Sequence, residues 1–333
     1  MRPIPPSKSA DAPQPSIAPQ PRAASNLVQR HLPKLYAFWK FSRPHTVIGT
    51  SLSAVGLFLL ASVENSRPID GWSLLIWLGA LVACLCGNVY IVGLNQLEDV
   101  AIDRVNKPHL PIASGEFSRR QGWAIVGITG SLALLLSAWQ GAFLLATVWI
   151  SVLIGTAYSL PPIRLKRFPI WAALCIFSVR GAIVNLGLFL HFNQRLGGMV
   201  QIPATVWCLT VFILVFTFAI AIFKDIPDLE GDRQYKITTF TIRLGAPAVF
   251  NLARWVLTIC YVGMIGAGFL LPGVNGMFLS ISHLLLLGLL WWRSRSIDLQ
   301  HKSEVARFYQ FIWKLFFLEY LLFPVAVGLG SLT

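Results

Sequence analysis

The chain has 333 residues, of which 55% are hydrophobic and 12% carry a charge. Soluble domains carry charge on about a quarter of their residues, so this composition excludes an ordinary soluble protein. The formal net charge of +13 is compatible with nucleic-acid binding. The basic residues form no patch interleaved with aromatic side chains, however, so no nucleic-acid partner is predicted.

The first 33 residues differ in composition from the rest of the chain. They contain eight of the 20 prolines, with many Ala, Ser and Gln. Such a segment cannot bury enough apolar surface to fold, so we predict a disordered N-terminal arm over residues 1–33 and one folded domain over residues 34–333. The arm lacks the apolar centre of a secretory signal peptide, and its basic composition leaves an organelle-targeting peptide as an alternative.

The apolar residues fall in long blocks of roughly 20, the length that an α-helix needs to cross a bilayer. Nine such blocks predict an all-α fold, a polytopic membrane protein built as a bundle of nine transmembrane helices. The predicted spans are residues 46–63, 72–95, 122–140, 142–160, 169–191, 203–223, 247–271, 275–292 and 308–331.

The loops between nine spans alternate between two faces, and 22 of the 27 Lys and Arg residues fall on one of them. Basic loops remain on the cytoplasmic side of a membrane, so this face is predicted to be cytoplasmic, or stromal in a plastid. The five cysteines fall in predicted spans, without the spacing of a metal site or a disulfide framework.

The carboxylates are concentrated in two short segments. Seven of the 14 Asp and Glu residues lie within residues 95–103 and 225–232. The first segment ends span two and the second ends span six, and these spans run in the same direction. Both segments therefore emerge on the basic face, where they can meet across the mouth of one helical bundle.

Spacing places each set of polar residues on one stripe of a helix. The two sets are Asn95, Asp99 and Asp103, and Asp225, Asp228 and Asp232. Spacings of i, i+4, i+8 and i, i+3, i+7 put each set on one face, although Pro227 can break the second helix. Like charges on one face repel, and carboxylates that face each other from two helices indicate Mg²⁺ bound between protein oxygens and ligand phosphates.

The same face carries basic side chains that could pair with phosphate oxygens, although the positive-inside bias alone also accounts for each of them. They are Arg104, Lys107, Arg164, Lys166, Arg167, Lys224, Arg233, Lys236 and Arg243.

The two acidic segments resemble those of the UbiA superfamily of intramembrane aromatic prenyltransferases. "NQLEDVAID" matches its N-x-x-x-D-x-x-x-D motif, and "DIPDLEGD" matches its D-x-x-D-x-x-x-D motif. Nine spans with both motifs on the cytoplasmic side is also the architecture of that superfamily. The resemblance covers nearly everything after about residue 35. It is closest to the homogentisate phytyltransferase group, through "FSRPHTVIGT", "YSLPPIRLKR" and the sequence around each motif. In length and short arm the chain resembles cyanobacterial members more than plastid ones, which implies a thylakoid or plasma membrane.

This resemblance implies an aromatic prenyltransferase of the EC 2.5.1 class. The implied substrates are phytyl diphosphate and homogentisate, which are joined with loss of diphosphate and CO₂ in tocopherol (vitamin E) synthesis. Two Mg²⁺ ions and the basic residues would neutralise charge on the leaving diphosphate. The phytyl tail would lie between helices in the membrane lipid, and no obligate protein partner is inferred.

The family motifs also imply roles for individual residues. The implied metal ligands are Asn95, Asp99 and Asp103 for one ion, and Asp228 and Asp232, with Asp225 nearby, for the other. Four of them are implied to be catalytic, namely Asp99, Asp103, Asp228 and Asp232. The implied substrate-binding residues are Asn95, Lys107, Arg164, Lys166, Arg167 and Lys224 at the diphosphate and Arg43 and Tyr158 near the acceptor. In many relatives the position of Gln96 is Asp.

Arg180 lies near the middle of predicted span five, where a charge is costly and normally faces the bundle interior. Two interpretations remain open. Arg180 binds substrate within the cavity, with an acceptor carboxylate as its partner, or it makes a structural hydrogen bond to a neighbouring helix.

Other functions also remain open at this stage. A related transferase could use geranylgeranyl or solanesyl diphosphate, or another aromatic acceptor, because spacing does not measure the donor's length. An ion-coupled transporter would place its acids at the bilayer midplane, whereas these acids lie at the membrane face. A structural scaffold would leave the paired acidic stripes unexplained.

Overall fold

The computed structural model describes residues 31–235 and 237–332, and all regular elements within those ranges are helical. The predicted arm lies outside the described residues as far as residue 30. The α-helices in chain order are α1 Pro33–Phe41, α2 Pro44–Glu64, α3 Gly71–Glu98, α4 Val100–Asn106, α5 Pro111–Ser114, α6 Arg119–Gln140, α7 Ala142–Ser159, α8 Pro169–Phe177, α9 Val184–Arg195, α10 Ala204–Phe223, α11 Leu229–Gln234, α12 Phe240–Leu244, α13 Ala246–Leu270, α14 Gly276–Ser294 and α15 Lys302–Gly330.

Nine segments of the described chain are helical, long and apolar enough to cross a membrane, which confirms the predicted bundle. They are α2, α3, α6, α7, the continuous segment Pro169–Arg195, α10, α13, α14 and α15. The largest difference is in α15, which begins at Lys302 rather than at residue 308. Its first turns are charged, and Glu304 and Arg307 form an ion pair at 3.7 Å one turn apart, which supports a helix that hydropathy alone does not reveal.

Helix α10 occupies the centre of the bundle. In its most apolar 18-residue stretch, 67% of the residues are buried, against 17% in the corresponding stretch of α14. Helix α10 packs on α8, α13 and α15. Phe212, Phe216 and Phe223 of α10 are buried in the main core. Large apolar side chains such as Trp139 and Leu270 remain about four-fifths exposed on the outside, as expected for helices whose outer surface faces lipid.

The fifth span is not one regular helix, in contrast to the prediction for residues 169–191. Helix α8 ends at Phe177, a π-helical turn covers Ser178–Ile183, and α9 follows. A methyl group at Gly181 would lie 2.5 Å from the Leu214 backbone, so the π turn brings this span very close to α10. Single π turns inside α-helices are frequently found at functional sites, and Arg180 lies in this one.

The helices are also interrupted at both acidic segments. Asp99 separates α3 from α4, but its N–H still donates to the Asn95 carbonyl at 3.0 Å. Asn95, Asp99 and Asp103 therefore keep their predicted helical spacing. The second stripe was predicted wrongly, because α10 ends at Phe223 and residues 224–228 form turns before α11. Pro227 lacks the N–H that a continuing helix needs, which explains this difference.

Candidate active site

The two acidic segments meet at one end of the bundle, as their position in the chain predicts. Helices α4 and α11 are in contact, and the Gly231 N–H donates to Asn106 Oδ1 at 2.9 Å. The Lys107 ammonium forms an ion pair with Asp228 Oδ2, which links the first segment directly to the second. A methyl group at Gly231 would clash with the Asn106 side chain, so this contact requires a glycine.

Asp99 is the carboxylate with the most cationic partners in the described chain. Arg164 Nη2 donates to its Oδ1 at 3.0 Å, and Lys166 Nζ donates to its Oδ2 at 2.5 Å. Asn95 Nδ2 also donates to Oδ2, at 3.1 Å. Burial lowers the pKa of Lys166 despite the neighbouring Asp99 carboxylate. The loop after α7 therefore supplies two cations to the first acidic segment.

Arg43 connects the start of α2 to the same site. Its Nη2 donates to Asn95 Oδ1 at 3.3 Å, and its backbone adopts a left-handed conformation with φ of 53°. Its Nε is buried and has no hydrogen-bond partner among the described residues. Arg43 is thus placed beside the first acidic segment with a donor still available.

Lys224 and Tyr158 surround the start of the second acidic segment. Lys224 Nζ lies 3.2 Å from Asp225 Oδ1. Burial alone favours the neutral amine, but Asp225, Tyr158 and Asp228 together raise the pKa of Lys224 well above its usual value. Burial raises the pKa of Asp225 in spite of this pairing. The ammonium of Lys224 therefore remains charged in the mouth of the bundle.

Asp103 and Asp232 are buried carboxyls that lack a cationic partner within bonding distance in the described chain. Burial, reinforced by Asp228 and Asp225, raises the pKa of Asp232 to about 7. Burial also raises the pKa of Asp103 to about 6, and its Oδ2 has no hydrogen-bond partner among the described residues. Both carboxyls are short of positive charge, and hard divalent cations suit such oxygens.

No three Asp, Glu, His or Cys side chains of residues 31–235 and 237–332 converge in the manner of a preformed metal centre. Asp99, Asp225 and Asp228 each contact a Lys or Arg instead. Carboxylates that lie close together attract whatever positive charge is available. The oxygen donors and the orphaned Asp103 oxygen fit a hard cation that would share these carboxylates with the Lys and Arg residues.

The other predicted basic residues form no ion pair with the two acidic segments within the described residues. Arg167 is exposed and makes no ion pair within the described residues, so its implied role at the diphosphate stays a prediction. The side chains of Arg104, Arg233 and Arg243 are likewise exposed. Lys236 lies outside the described residues.

Asn106 escaped the sequence analysis, and Gln96 was named there without a role. Asn106 is buried where α4 meets α11, and its place in "RVNKP" at the end of a polar segment was the available signal. Gln96 is also buried, and its Nε2 donates to the Phe41 carbonyl at 2.7 Å. Gln96 therefore anchors α1 to α3.

Arg180 lies apart from both acidic segments. Its guanidinium carbon is 5.0 Å from the centre of the Trp313 ring and 5.8 Å from that of Phe316, both on α15. Within the described residues, the Arg180 guanidinium forms no ion pair with a carboxylate. It also donates no side-chain hydrogen bond to a neighbouring helix. A stacking contact on α15 thus replaces the structural hydrogen bond that was one of the two alternatives.

Comparisons with known proteins agree with this geometry. The UbiA prenyltransferase family matches residues 49–315. Homogentisate phytyltransferase of Synechocystis sp. is 56% identical over 90% of this chain and 98% of its own. Homogentisate solanesyltransferase of Arabidopsis thaliana is 40% identical over 86% of this chain and 76% of its own.

Among solved structures, a UbiA homolog from Archaeoglobus fulgidus bound to GPP and Mg²⁺ has the same fold. It matches 88% of this chain and 99% of its own with a TM-score of 0.61 at 16% identity. A digeranylgeranylglyceryl phosphate synthase matches 89% of this chain and 99% of its own with a TM-score of 0.59 at 21% identity. The chain belongs to the UbiA prenyltransferase family of membrane enzymes.

Proposed function

We propose that this enzyme transfers a phytyl group from phytyl diphosphate to homogentisate, with loss of diphosphate and CO₂. The observation that carries a diphosphate-dependent transfer is the junction of the two acidic segments through Lys107 and Asp228. The choice of donor and acceptor rests on the Synechocystis relative, a homogentisate phytyltransferase that is 56% identical to this chain.

The reaction requires Mg²⁺, and two ions fit the two acidic segments. Asn95, Asp99 and Asp103 would hold one ion, and Asp225, Asp228 and Asp232 the other. This role is supported by the raised pKa values of Asp103, about 6, and Asp232, about 7, which mark carboxyls that gain from a nearby cation. Bound Mg²⁺ supplies a Lewis acid that neutralises charge on the departing diphosphate.

The basic side chains provide the rest of that stabilisation. Lys107, Arg164 and Lys166 are held by the acids in the mouth of the bundle. Fixed cations aimed at a developing negative charge lower the barrier most where water is excluded, because they need no reorganisation during the reaction. These three residues therefore hold the diphosphate while its bond to the phytyl carbon breaks, and the resulting allylic cation is attacked by the electron-rich acceptor ring.

The donor length is the open alternative within this function. Relatives named homogentisate solanesyltransferase and homogentisate geranylgeranyltransferase are 40% and 38% identical to this chain. Geranylgeranyl and solanesyl diphosphates are therefore the second candidate donors.

The active site faces the cytoplasm. The support is the positive-inside bias, because the acidic junction lies on the same side as 22 of the 27 Lys and Arg residues. A cyanobacterial thylakoid or plasma membrane is the setting suggested by the Synechocystis relative.

A membrane assay with labelled homogentisate and Mg²⁺ tests the proposal, with phytyl, geranylgeranyl and solanesyl diphosphates offered in parallel. The proposal predicts a methyl-phytyl-quinol product, with phytyl diphosphate preferred. A preference for one of the other donors would move the enzyme to the second candidate, and no product from any donor, with the protein folded, would refute homogentisate as acceptor.

A further inference from the structure

Arg180 is a cation inside a membrane-spanning segment, at the π turn between α8 and α9. A charge at this depth is costly unless it is paired or serves a function. None of the ion pairs within residues 31–235 and 237–332 involves its guanidinium. Arg180 thus has no counter-ion among the described residues.

Three lysines of the acidic junction have carboxylate partners, in contrast to Arg180. Lys166 pairs with Asp99, Lys107 pairs with Asp228, and Lys224 pairs with Asp225. Glu319, a buried acid within α15, bonds His283 Nε2 at 2.9 Å. These lysines therefore have carboxylate partners, whereas the Arg180 guanidinium has none among the described residues and can pair with an anion from outside the chain.

The side chains around Arg180 form a small aromatic cluster, which we define by Arg180, His45, Gly49, Trp313 and Phe316. The guanidinium lies over the Trp313 and Phe316 rings at 5.0 and 5.8 Å. The His45 ring packs on Trp313 with centroids 4.9 Å apart. A methyl group at Gly49 would lie 3.0 Å from Arg180 Nη1, so the absent side chain at Gly49 leaves room for the guanidinium.

The position of this aromatic cluster relative to the acidic junction suits an acceptor. Arg43 contacts Asn95 of the first acidic segment, and Gly49 follows six residues later in α2. Six residues of α-helix rise about 9 Å, so the Arg180 guanidinium lies deeper in the bundle than the diphosphate residues. An acceptor whose carboxylate meets Arg180 would therefore hold its ring between Arg180 and the diphosphate residues.

We infer that Arg180 binds the carboxylate of the aromatic acceptor and thereby orients its ring below the diphosphate site. The inference rests on the proposed function, since it assumes an acceptor acid such as homogentisate. A planar guanidinium offers two parallel N–H donors that match a carboxylate. The rings beneath it exclude water and strengthen the pairing, and they also give the acceptor ring an apolar surface on which to pack.

The test measures the binding of labelled homogentisate to the purified full-length protein in detergent, with homogentisate methyl ester as an uncharged competitor. In Arg180→Gln we expect homogentisate affinity to fall about tenfold to a hundredfold, as for the loss of a charged hydrogen-bond pair. Ester affinity and the KM for phytyl diphosphate should remain at the wild-type values. Arg180→Lys keeps the charge but loses the two parallel N–H donors of the guanidinium, so its homogentisate affinity should be intermediate.

Arg254→Gln is the matched control. Arg254 also lies over a tryptophan, 4.4 Å from the Trp291 ring, but it is hydrogen-bonded to Asn251 and Ser294. The control should leave homogentisate affinity unchanged, which separates acceptor binding from the general loss of an arginine packed on an aromatic ring.

Two results would overturn the inference. One is wild-type homogentisate affinity in a correctly folded Arg180→Gln protein, and the other is an equal loss of affinity for the acid and its ester. If the wild type binds homogentisate without forming a phytylated product, the proposed function fails while the binding comparison still decides the role of Arg180. If the wild type binds no homogentisate, both are refuted.

Discussion

Asp103 and Asp232 combine burial with a shortage of positive charge, which raises their pKa values to about 6 and about 7. A protonated carboxyl does not bind Mg²⁺, so the ion competes with the proton and lowers the apparent pKa of its ligands. As pH rises through 6 and 7 both groups lose their protons, and activity at low Mg²⁺ should rise over the same range. Raising the Mg²⁺ concentration should shift this rise in activity to lower pH.

The measurement is the pH profile of phytyl transfer at several Mg²⁺ concentrations. Assays at pH 8, where both carboxyls are already ionised, serve as the control and should show the least sensitivity to added ion. If added Mg²⁺ leaves the pH of this rise unchanged, or shifts it to higher pH, metal binding by these two residues would be contradicted.

Gln96 has a structural task although it lies within the first motif. Its Nε2 donates to the Phe41 and Val92 carbonyls at 2.7 and 3.3 Å in a fully buried position. In Gln96→Leu the Phe41 carbonyl loses this donor, at a cost of about 1–3 kcal/mol. We expect a lower Tm in detergent and, at temperatures where the protein is folded, near wild-type activity.

Gln201→Leu, at an exposed loop position, is the control for this substitution and should leave Tm unchanged. A Gln96→Leu protein with normal Tm and lost activity would instead place Gln96 in the catalytic site.

Among the helices and turns, the contact between α4 and α11 is the feature on which the active site depends. A methyl group in Gly231→Ala would push against Asn106 and separate the two acidic segments. Because rate depends steeply on the positions of catalytic groups, we expect activity to fall at least about tenfold with the bundle still folded. The measurement is kcat alongside Tm.

Gly127→Ala is the matched control, because a methyl group at Gly127 in α6 meets no atom within 4 Å. Its activity and Tm should match those of the wild type. Unchanged activity in Gly231→Ala would show that the two acidic segments tolerate separation.

The helices illustrate which features a sequence can predict. Hydropathy located all nine spans, because each must satisfy its backbone within a continuous apolar helix. The breaks at Asp99 and after Phe223, and the π turn at Ser178–Ile183, were not predicted as such. They depend on tertiary contacts, such as the close approach of Gly181 to Leu214, that leave little trace in local composition.

The same limit applies to the candidate site. The alternation of loops between two faces correctly predicted that the two acidic segments meet, as the Lys107–Asp228 ion pair shows. Sequence could not say which cation meets which acid, because Arg164 and Lys166 reach Asp99 from 65 and 67 positions away. Nor could it separate Arg167, which is exposed, from these two neighbours.

For the whole molecule, the proposed orientation places the acidic junction on the cytoplasmic side. The two ends of α15 lie on opposite faces, with Ser303 near its start and Ser331 just beyond its end, both exposed. In a background without the five native cysteines, an impermeant thiol reagent added outside intact cells, with the protein in the plasma membrane, should label Ser331→Cys and spare Ser303→Cys. The reverse pattern would invert the topology, and lysed cells, where both should react, provide the control.

The central claim concerns the whole site, namely that both acidic segments act together in one Mg²⁺-dependent transfer. The most direct measurement is phytyl transfer by the wild type, Asp99→Ala and Asp228→Ala proteins over a Mg²⁺ titration that starts from excess chelator. Asp298→Ala is the control, since Asp298 is exposed and pairs with His301 away from the site. We predict no product in chelator, recovery of the wild type and the control with Mg²⁺, and a loss of about a hundredfold or more in each site variant. Full activity in chelator, or near wild-type activity in either site variant, would contradict the claim.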